Sequence, residues 1–247
     1  MKLLTCNVWF DPYAQQARAV ALLDGALALD PDVVCFQEVT EAFLGWWRAH
    51  PLSGRLPAQA TAIDDEQGYG LLLATRLPHA TFDTLALPTC QGRAALRMQA
   101  PDAPDVVCVH LESRDHNALT RLDQLDALAA WTRPETILAG DLNFAPRAEE
   151  DLSLRTTWRD AWAELRPHDP GLTVDDKANP MRAWMRPERD RQQRLDRVCA
   201  RRDGHTWQIT TIDRCLHTPL PHLTPPVTPS DHDALIVTIT RSNHTTV

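Results

Sequence analysis

Short apolar runs recur along the whole chain, and polar or turn-forming residues bound each of them. Their length of about 4–8 residues and their content of Val, Ile and Cys favour β-strands over helices. The runs predicted to form strands are KLLTCNVWF (2–10), DVVCFQEV (32–39), GYGLLLAT (68–75), RAALRMQA (93–100), DVVCVHLES (105–113), TILAGDLN (136–143), RLDRVCAR (194–201), TWQITTID (206–213) and ALIVTIT (234–240).

Apolar residues at helical spacing fill the stretches 14–29 and 118–132. A further helix is predicted over 152–165. Strands dominate both halves of the chain, helices are interspersed between them, and no low-complexity linker divides the sequence. These patterns predict one α/β domain over residues 1–247, built as two packed sheets with helices outside.

Polar side chains stand at the ends of many of the predicted strands. In GDLN, Asp141 and Asn143 are two positions apart, which places both on the same side of an extended strand end. Polar groups gathered at strand ends on one side of a sheet make a composite site. The residues grouped in this way are Asn7, Gln37, Glu38, His110, Asp141, Asn143, Asp196, Asp231 and His232.

The composition is that of an ordinary globular protein, with 43% hydrophobic and 23% charged residues. Because the formal net charge is −8, any contact with a nucleic acid has to be local. The six cysteines form no CxxC pair, which indicates free thiols in a reducing compartment. The sequence shows no signal peptide and no membrane-spanning pattern, so we expect a cytoplasmic protein.

Carboxylates among the strand-end residues can bind a hard cation. Glu38 is the strongest candidate, and Asp231 and Asp141 are further oxygen donors. Oxygen ligands with few histidines suit Mg²⁺ or Mn²⁺ rather than Zn²⁺.

The remaining strand-end groups are amides and imidazoles. Asn7 and Asn143 can donate to phosphoryl oxygens, and His110 and His232 can carry protons. Asp196 can orient one of the imidazoles. A metal, a carboxylate base and protonated imidazoles are what phosphodiester hydrolysis needs.

The motifs TCNVWF, CFQEVT, HLES, GDLN and SDH follow one another in this order between residues 5 and 232. They resemble those of the endonuclease/exonuclease/phosphatase superfamily, which includes deoxyribonucleases, abasic-site endonucleases, inositol phosphatases and sphingomyelinases. The resemblance implies a four-layer α/β/β/α sandwich and a metal-dependent phosphodiesterase.

Further segments, among them WRDAWAELRP, GLTVDDKANPM and QRLDRV, are similar to the 5′-tyrosyl-DNA phosphodiesterase branch of that superfamily. Enzymes of this branch hydrolyse the bond between a topoisomerase tyrosine and a 5′-phosphate. The resemblance implies DNA ends with 5′-phosphotyrosyl adducts as the substrate, a role in DNA repair and Mg²⁺ as the cofactor. We expect a monomer that uses direct attack by water and needs no membrane.

The same resemblance assigns roles to the residues at the predicted site. Glu38 and Asp231 are expected at the Mg²⁺. Asp141 is expected to position or deprotonate the attacking water. His232, held by Asp196, is expected to stabilise the transition state or to assist the leaving tyrosyl oxygen.

A second group is expected at the phosphate. Asn7 and Asn143 would hold the scissile phosphate, and His110 would contact a phosphoryl oxygen. Arg93 of GRAAL aligns with an arginine that faces the phosphate in the tyrosyl branch.

Three positions depart from the animal forms of that branch. Trp9 replaces an aspartate of the first motif, Ala145 replaces an arginine that follows GDLN, and Val174 replaces a tryptophan that lines the DNA end. The first departure affects support for the metal. The other two affect the grip on DNA, and with it the substrate, but not hydrolysis itself.

Other interpretations of the same residues remain open. Asp141 and Asn143 can form an Asx turn, and Asp196 can form a plain salt bridge. The arginines between 182 and 194 form either a solvated loop or a contact to a DNA backbone. Alternative functions are another nuclease, a lipid or nucleotide phosphodiesterase, and a catalytically dead binding module. We expect four further histidines to lie on the surface, namely His116, His205, His217 and His222.

Overall fold

The computed structural model describes residues 1–221 and 223–242, and in it the apolar runs form the strands of two mixed sheets. The strands are β1 (Lys2–Asn7), β2 (Val33–Thr40), β3 (Ala58–Asp64), β4 (Tyr69–Thr75), β5 (Thr81–Ala86), β6 (Ala94–Gln99), β7 (Asp105–His110), β8 (Thr136–Asp141), β9 (Trp158–Asp160), β10 (Val174–Asp175), β11 (Gln192–Gln193), β12 (Asp196–Arg201), β13 (Trp207–Cys215) and β14 (Ala234–Arg241). The helices are α1 (Gln15–Leu29), α2 (Glu41–Ala49), α3 (Pro51–Arg55), α4 (Ala118–Trp131), α5 (Glu149–Thr157), α6 (Ala161–Leu165) and α7 (Pro180–Met185).

Each large sheet has six strands and contains one parallel pair. The first sheet has the order β13-β14-β1-β2-β4-β3, and the second has the order β5-β6-β7-β8-β12-β9, while β10 and β11 form a separate two-stranded sheet. The parallel pairs are β1 with β2 and β7 with β8, whereas the other pairings in these sheets are antiparallel. A parallel pair brings two strand ends to the same edge, which is where the polar strand-end residues lie.

Three apolar clusters hold the layers together. One lies between the sheets and includes Leu3, Val106 and Val237. A second packs α1 and α2 on the outer face of the first sheet, and a third packs α4 and α5 on the second sheet. The architecture is therefore the α/β/β/α sandwich that the motifs predicted.

The helix predicted over 152–165 is wrong, because the chain there forms α5, then the strand β9, then α6. Trp158 is buried in the cluster under the second sheet, and Asp160 pairs in register with Cys199 of β12. The Asp160 carboxylate then caps α6 by accepting from the backbone N–H groups of Trp162 and Ala163. Tertiary pairing overrides a helical pattern here.

The solvent exposure of the cysteine and histidine side chains tests two further predictions. Four cysteines are buried free thiols, and His116, His205 and His217 are exposed, whereas His222 lies outside the described residues. None of the described helices has the length and apolar character of a membrane span.

Candidate active site

A cleft of about 1070 Å³ lies at the edge where the two parallel pairs end. Asn7 closes β1, and its Nδ2 donates to Glu38 Oε1 at 3.0 Å and to Asp141 Oδ2 at 3.1 Å. These hydrogen bonds join the ends of both sheets. Because they use both N–H groups of the buried Asn7 amide, Asn7 orients two carboxylates and presents no free donor to the cleft.

A β-bulge in β2 sets the orientation of the Glu38 side chain. The register of β2 against β4 shifts between Gln37 and Val39, and Glu38 has a left-handed φ of 59°. Such a bulge re-aims a side chain near the end of a strand. The Glu38 side chain is 14% exposed, and its Oε2 accepts the backbone N–H of Phe10 at 3.1 Å.

Asp141 and Asn143 form the Asx turn that was one interpretation of GDLN. The backbone N–H of Asn143, which has a φ of 57°, donates to Asp141 Oδ1 at 2.9 Å. The turn leaves Asp141 Oδ2 facing Asn7 and the cleft. The Asn143 amide lines the cleft and donates to the carbonyl of Leu111 at 3.0 Å, so one of its N–H groups stays free for a ligand.

Asp196 and His232 form a buried pair on the other side of Asp141. Asp196 is paired in register with Asp141, and its Oδ2 lies 2.8 Å from His232 Nδ1. The backbone N–H of His232 donates to Ser230 Oγ, which fixes the start of the last strand segment. One ligand atom each from Asp141, Asp196 and His232 lie within 4.8 Å of one another.

The pKa values show which of these groups hold protons. Burial alone would lower the pKa of His232, but the carboxylates of Asp196 and Asp231 outweigh it and raise the pKa to about 10. Burial and the charge of Asp231 raise the pKa of Glu38 to about 7. Burial also raises the pKa of Asp141. His232 is therefore an imidazolium at neutral pH, whereas the raised pKa values of Glu38 and Asp141 make these two carboxyl groups ionise less readily than exposed ones.

His110 is the opposite case. Burial and the neighbouring guanidinium of Arg93 hold the pKa of His110 well below its usual value, so its imidazole is neutral. Arg93 Nη1 lies 2.9 Å from His110 Nδ1. Because a guanidinium can only donate, Nδ1 must accept and Nε2 must carry the proton. That N–H points towards Asp141 Oδ2, 3.5 Å away.

Asp231 is paired with an arginine that the sequence did not single out. Arg182 Nη1 donates to Asp231 Oδ2 at 2.5 Å, and Arg186 Nη1 is 3.9 Å from the same oxygen. Asp231 Oδ1 is buried and accepts no hydrogen bond within the described part of the chain. Asp176 lies close to Arg182 in sequence, but Asp231 is 49 residues away from it, so no short motif predicts the Asp176–Arg182–Asp231 link.

The donor set fits a hard divalent cation at Glu38 and Asp231. Two desolvated carboxylates repel each other there, since the charge of Asp231 helps to raise the pKa of Glu38, and Asp231 Oδ1 is unsatisfied. Asp141, Asp196 and His232 also have metal-like spacing. However, His232 Nδ1 is used by Asp196 and the ring is protonated, and a protonated imidazole is no ligand. Oxygen donors without a free imidazole favour Mg²⁺ or Mn²⁺.

The cleft walls are basic, although the whole protein is acidic. Besides Arg93 and Arg182, the lining arginines are Arg114, Arg186, Arg189 and Arg191. Sequence patterns also missed a stacked aromatic pair at the rim, where the rings of Phe10 and Tyr69 lie 4.6 Å apart at 7°. The only hint in the sequence was the Phe at the end of the first apolar run.

The three departures occupy different places. Trp9 is buried with a φ of 58°, packs with Met181 and Val227, and lies under the guanidinium of Arg18 at 4.5 Å. Val174 is buried in β10 and lines no part of the cleft, whereas Ala145 lines a neighbouring pocket. A Trp9 packing contact stands where the first motif of the animal forms has an aspartate.

Among the predicted site residues, those that line the cleft are Glu38, Arg93, His110, Asp141, Asn143, Asp231 and His232. Asn7 and Asp196 lie behind the lining and are hydrogen-bonded to residues in it, whereas Gln37 is buried and donates to Thr5 Oγ1 and to the carbonyl of Cys35.

A sequence model described as "Endonuclease/Exonuclease/phosphatase family" matches residues 4–232. No curated protein sequence matches the chain significantly. Among solved structures, D. rerio TDP2 complexed with single-strand DNA product has a TM-score of 0.80 at 21% identity and covers 97% of this chain and 98% of that chain. The S. aureus beta toxin has a TM-score of 0.72 at 15% identity, covering 96% and 99%. The human Nocturnin catalytic domain with bound sulfate has a TM-score of 0.72 at 17% identity, and the match covers 98% of this chain and 93% of that chain. At these identities the likeness establishes the fold.

Proposed function

Since the chain belongs to the endonuclease/exonuclease/phosphatase family and is a hydrolase of phosphodiester bonds, we propose that it acts on DNA ends that carry 5′-phosphotyrosyl adducts. The proposal includes Mg²⁺ as the cation and a role in DNA repair. It also includes one catalytic domain over residues 1–247 that acts as a cytoplasmic monomer. The observation that carries it is the grouping of a carboxylate, an imidazolium and a cation-suited carboxylate pair in one basic cleft.

Asp141 is the candidate base for the attacking water. Its Oδ1 is held by the Asn143 N–H and its Oδ2 by Asn7, so the carboxylate has one orientation. Burial raises the pKa of Asp141, which makes its carboxylate a better proton acceptor than an exposed aspartate. Among the described residues, no Ser or Cys side chain lines the cleft except Ser113, which is bonded to Gln91. Direct attack by water therefore fits these residues.

His232 is the candidate group at the leaving oxygen. With a pKa of about 10, it is protonated at neutral pH and can stabilise an anionic transition state or donate a proton. A tyrosyl phenolate has an ordinary pKa of about 10, so the proton affinities of the donor and the leaving group are matched. Asp196 holds the ring through Nδ1 and leaves Nε2 for this role.

The phosphate would lie between His110, Arg93 and Asn143. The neutral His110 offers an Nε2–H, Asn143 offers its remaining amide N–H, and Arg93 adds positive charge behind His110. When bound, Mg²⁺ neutralises charge on the phosphoryl oxygens. Glu38 and Asp231 are the residues that would hold it, and Asn7 keeps Glu38 in place.

The basic walls support a polyanionic substrate. Arg114, Arg186, Arg189 and Arg191 line the cleft and would meet phosphates next to the scissile bond, whereas they would repel the quaternary ammonium of a sphingomyelin head group. D. rerio TDP2, which has the same fold, is complexed with single-strand DNA product. A different nuclease substrate is the second candidate, because the same arginines suit any nucleic-acid end and Val174 supplies no aromatic wall.

The test is turnover of a synthetic 5′-tyrosyl oligonucleotide with Mg²⁺ and with EDTA. The same sequence with a 3′-phosphotyrosyl end, an abasic duplex and sphingomyelin vesicles are assayed beside it. The proposal predicts Mg²⁺-dependent release of tyrosine and a clear preference for the 5′ adduct. Faster turnover of the abasic duplex or of the vesicles would contradict the proposed substrate.

A further inference from the structure

Arg182 is a buried cation between two buried carboxylates. It lies on α7 and is 3% exposed. Its Nε donates to Asp176 Oδ1 at 2.6 Å, and its Nη1 donates to Asp231 Oδ2 at 2.5 Å. One planar guanidinium thus fixes two carboxylates at the same time, a geometry that a lysine ammonium cannot reproduce.

The far end of this link is itself anchored. Asp176 is buried, and its Oδ2 accepts the backbone N–H of Arg191 at 2.7 Å. Asn179 caps α7 and donates to the carbonyl of Ser230 at 3.3 Å, which ties the helix to the segment that carries Asp231. Neither Asp176 nor Asn179 lines the cleft. The anchoring groups behind Arg182 therefore lie outside the reaction space.

The near end leaves one carboxylate oxygen available. Arg182 occupies Asp231 Oδ2, and within the described residues Asp231 Oδ1 is buried without a hydrogen-bond partner. Both Arg182 and Asp231 line the cleft. Leaving a buried carboxylate oxygen unsatisfied is costly unless a ligand satisfies it. The Arg182 hydrogen bond restrains the plane of the Asp231 carboxylate, and with it the direction of the second oxygen.

We propose that Arg182, fixed by Asp176, is a positioning residue that holds the Asp231 carboxylate with Oδ1 directed to the divalent cation. The inference rests on the proposed function in one respect, which is that a cation binds beside Asp231. Partners that orient a ligating carboxylate commonly change metal affinity by about 10–100-fold when they are removed. Arg182 is not one of the groups assigned to the phosphate or to the proton transfers.

The experiment measures Mn²⁺ binding to the metal-free full chain without substrate, by the EPR signal of free Mn²⁺. The variants are Arg182→Met, Arg182→Lys and Asp176→Asn. Arg194→Met is the matched control, because Arg194 is also a buried arginine that donates to an aspartate, Asp160, at 2.5 Å, but does not line the cleft. In a second measurement, turnover of the p-nitrophenyl ester of thymidine 5′-phosphate gives kcat and KM for the wild type, the three variants and the control.

We expect Arg182→Met and Arg182→Lys to weaken Mn²⁺ binding by about 10–100-fold. Asp176→Asn should weaken it less, and Arg194→Met should leave it unchanged. The kcat at fixed Mn²⁺ should fall with the affinity, and the KM for the ester should stay close to that of the wild type. Asp176→Asn keeps the test decisive if Arg182→Met does not fold.

Four outcomes would overturn the inference. Unchanged or tighter Mn²⁺ binding in Arg182→Met would mean that Arg182 is a plain ion pair or a competitor of the cation. Wild-type affinity in Arg182→Lys would mean that charge alone suffices. A raised KM with intact Mn²⁺ affinity would place Arg182 at the substrate. Absence of Mn²⁺ binding in the wild type would instead refute the cation site of the proposed function, and this inference with it.

Discussion

The protein has two buried clusters of charged residues, one at the second sheet and one where the ends of both sheets meet, and they are built in opposite ways. In the first, here called the arginine ladder, every carboxylate has a guanidinium partner. In the second, here called the site cluster, carboxylates outnumber cations. The ladder consists of Asp151, Arg197, Asp160 and Arg194, and the site cluster consists of Glu38, Asp141, Asp196, Asp231 and His232.

The pKa values record this difference. Burial would raise the pKa of Asp151, but the backbone N–H of Arg147 and the guanidinium of Arg197 outweigh it, and the pKa lies below its ordinary value. Burial raises the pKa of Glu38 to about 7 and raises that of Asp141, with too little compensation from neighbouring cations. The paired charges of the ladder stabilise the fold. The carboxylates of the site cluster are buried with too few cationic partners, and a bound cation would remove this unfavourable charge.

The largest expected effect comes from Asp141→Asn. Loss of the candidate base should lower kcat on a 5′-tyrosyl oligonucleotide by about 10²–10⁴-fold. The free energy of unfolding should change by only about 1 kcal/mol, because removing a poorly tolerated charge offsets the weakened hydrogen bond that Asn7 donates to this side chain. Single-turnover kinetics and urea unfolding measure the two quantities. Full turnover by the folded variant would refute the proposed role of Asp141.

The reverse pattern is expected for Arg197→Met in the ladder. Arg197 Nη1 donates to Asp151 Oδ1 at 2.5 Å and to Asp160 Oδ2 at 3.0 Å, so its removal leaves buried carboxylates short of a partner. The free energy of unfolding should fall by about 3–5 kcal/mol, measured by urea unfolding. The folded fraction at low temperature should keep its kcat within a few-fold. A loss of kcat as large as that of Asp141→Asn would erase the distinction between the clusters.

The sequence predicted the site cluster better than the ladder. Asn7, Glu38, His110 and Asp141 stand at or near the ends of predicted strands, and this position together with the motif order grouped them. The structure supplies the physical reason, since the parallel pairs β1–β2 and β7–β8 bring their ends to one edge. Their grouping in the structure agrees with the prediction, and their catalytic roles remain predictions. The choice of one domain over residues 1–247 likewise remains a prediction.

Sequence reasoning failed where side chains choose partners across the fold. Arg182 was grouped with arginines predicted to form either a solvated loop or a contact to a DNA backbone, because its partners Asp176 and Asp231 are not marked by any period. The helical pattern over 152–165 hid β9, whose pairing with β12 is a tertiary contact. Neither Trp9 packing under Arg18 nor the Phe10–Tyr69 stack follows from local propensity. Such contacts depend on distances that one sequence does not encode locally.

Glu38→Gln sharpens the comparison through stability. The folded pKa of Glu38 is raised to about 7, so the stability that it contributes is present below the ordinary pKa of 4.5 and is lost as pH rises through 7. At pH 8 without metal, the variant should therefore be more stable than the wild type by about 1–3 kcal/mol. Thermal unfolding in EDTA measures this difference, and Mg²⁺ should raise the Tm of the wild type but not of the variant.

The matched change in the ladder is Asp151→Asn. The pKa of Asp151 is lowered, so the stability from its charge is present above the ordinary value and is lost on acidification. Asp151→Asn should consequently destabilise the protein at pH 8, where Glu38→Gln stabilises it. Effects of the same sign for both variants would show that the clusters do not differ in the way described.

A smaller effect is expected for Asp196→Asn, measured through the pH dependence of kcat. Burial opposes protonation of His232, and Asp196 together with Asp231 raises its pKa to about 10, so loss of one carboxylate should lower that pKa. The basic limb of the kcat profile should move to lower pH. Relative to the wild type, the kcat of the variant should be about tenfold lower at pH 9 than it is at pH 6.5. Profiles that run parallel for wild type and variant would exclude a protonated His232 from the rate-limiting step.

The smallest effect is expected at the cleft wall, where charge serves binding alone. Arg189 is exposed and lines the cleft, and among residues 1–221 and 223–242 no carboxylate forms an ion pair with it. Arg189→Met should raise KM for a tyrosyl oligonucleotide by about two- to fivefold, leave kcat unchanged and reduce the salt slope of binding by about one. Arg48→Met is the control, because Arg48 is exposed near Glu41 and does not line the cleft. Equal effects of the two variants would mean that the oligonucleotide senses the general charge of the protein and not the cleft wall.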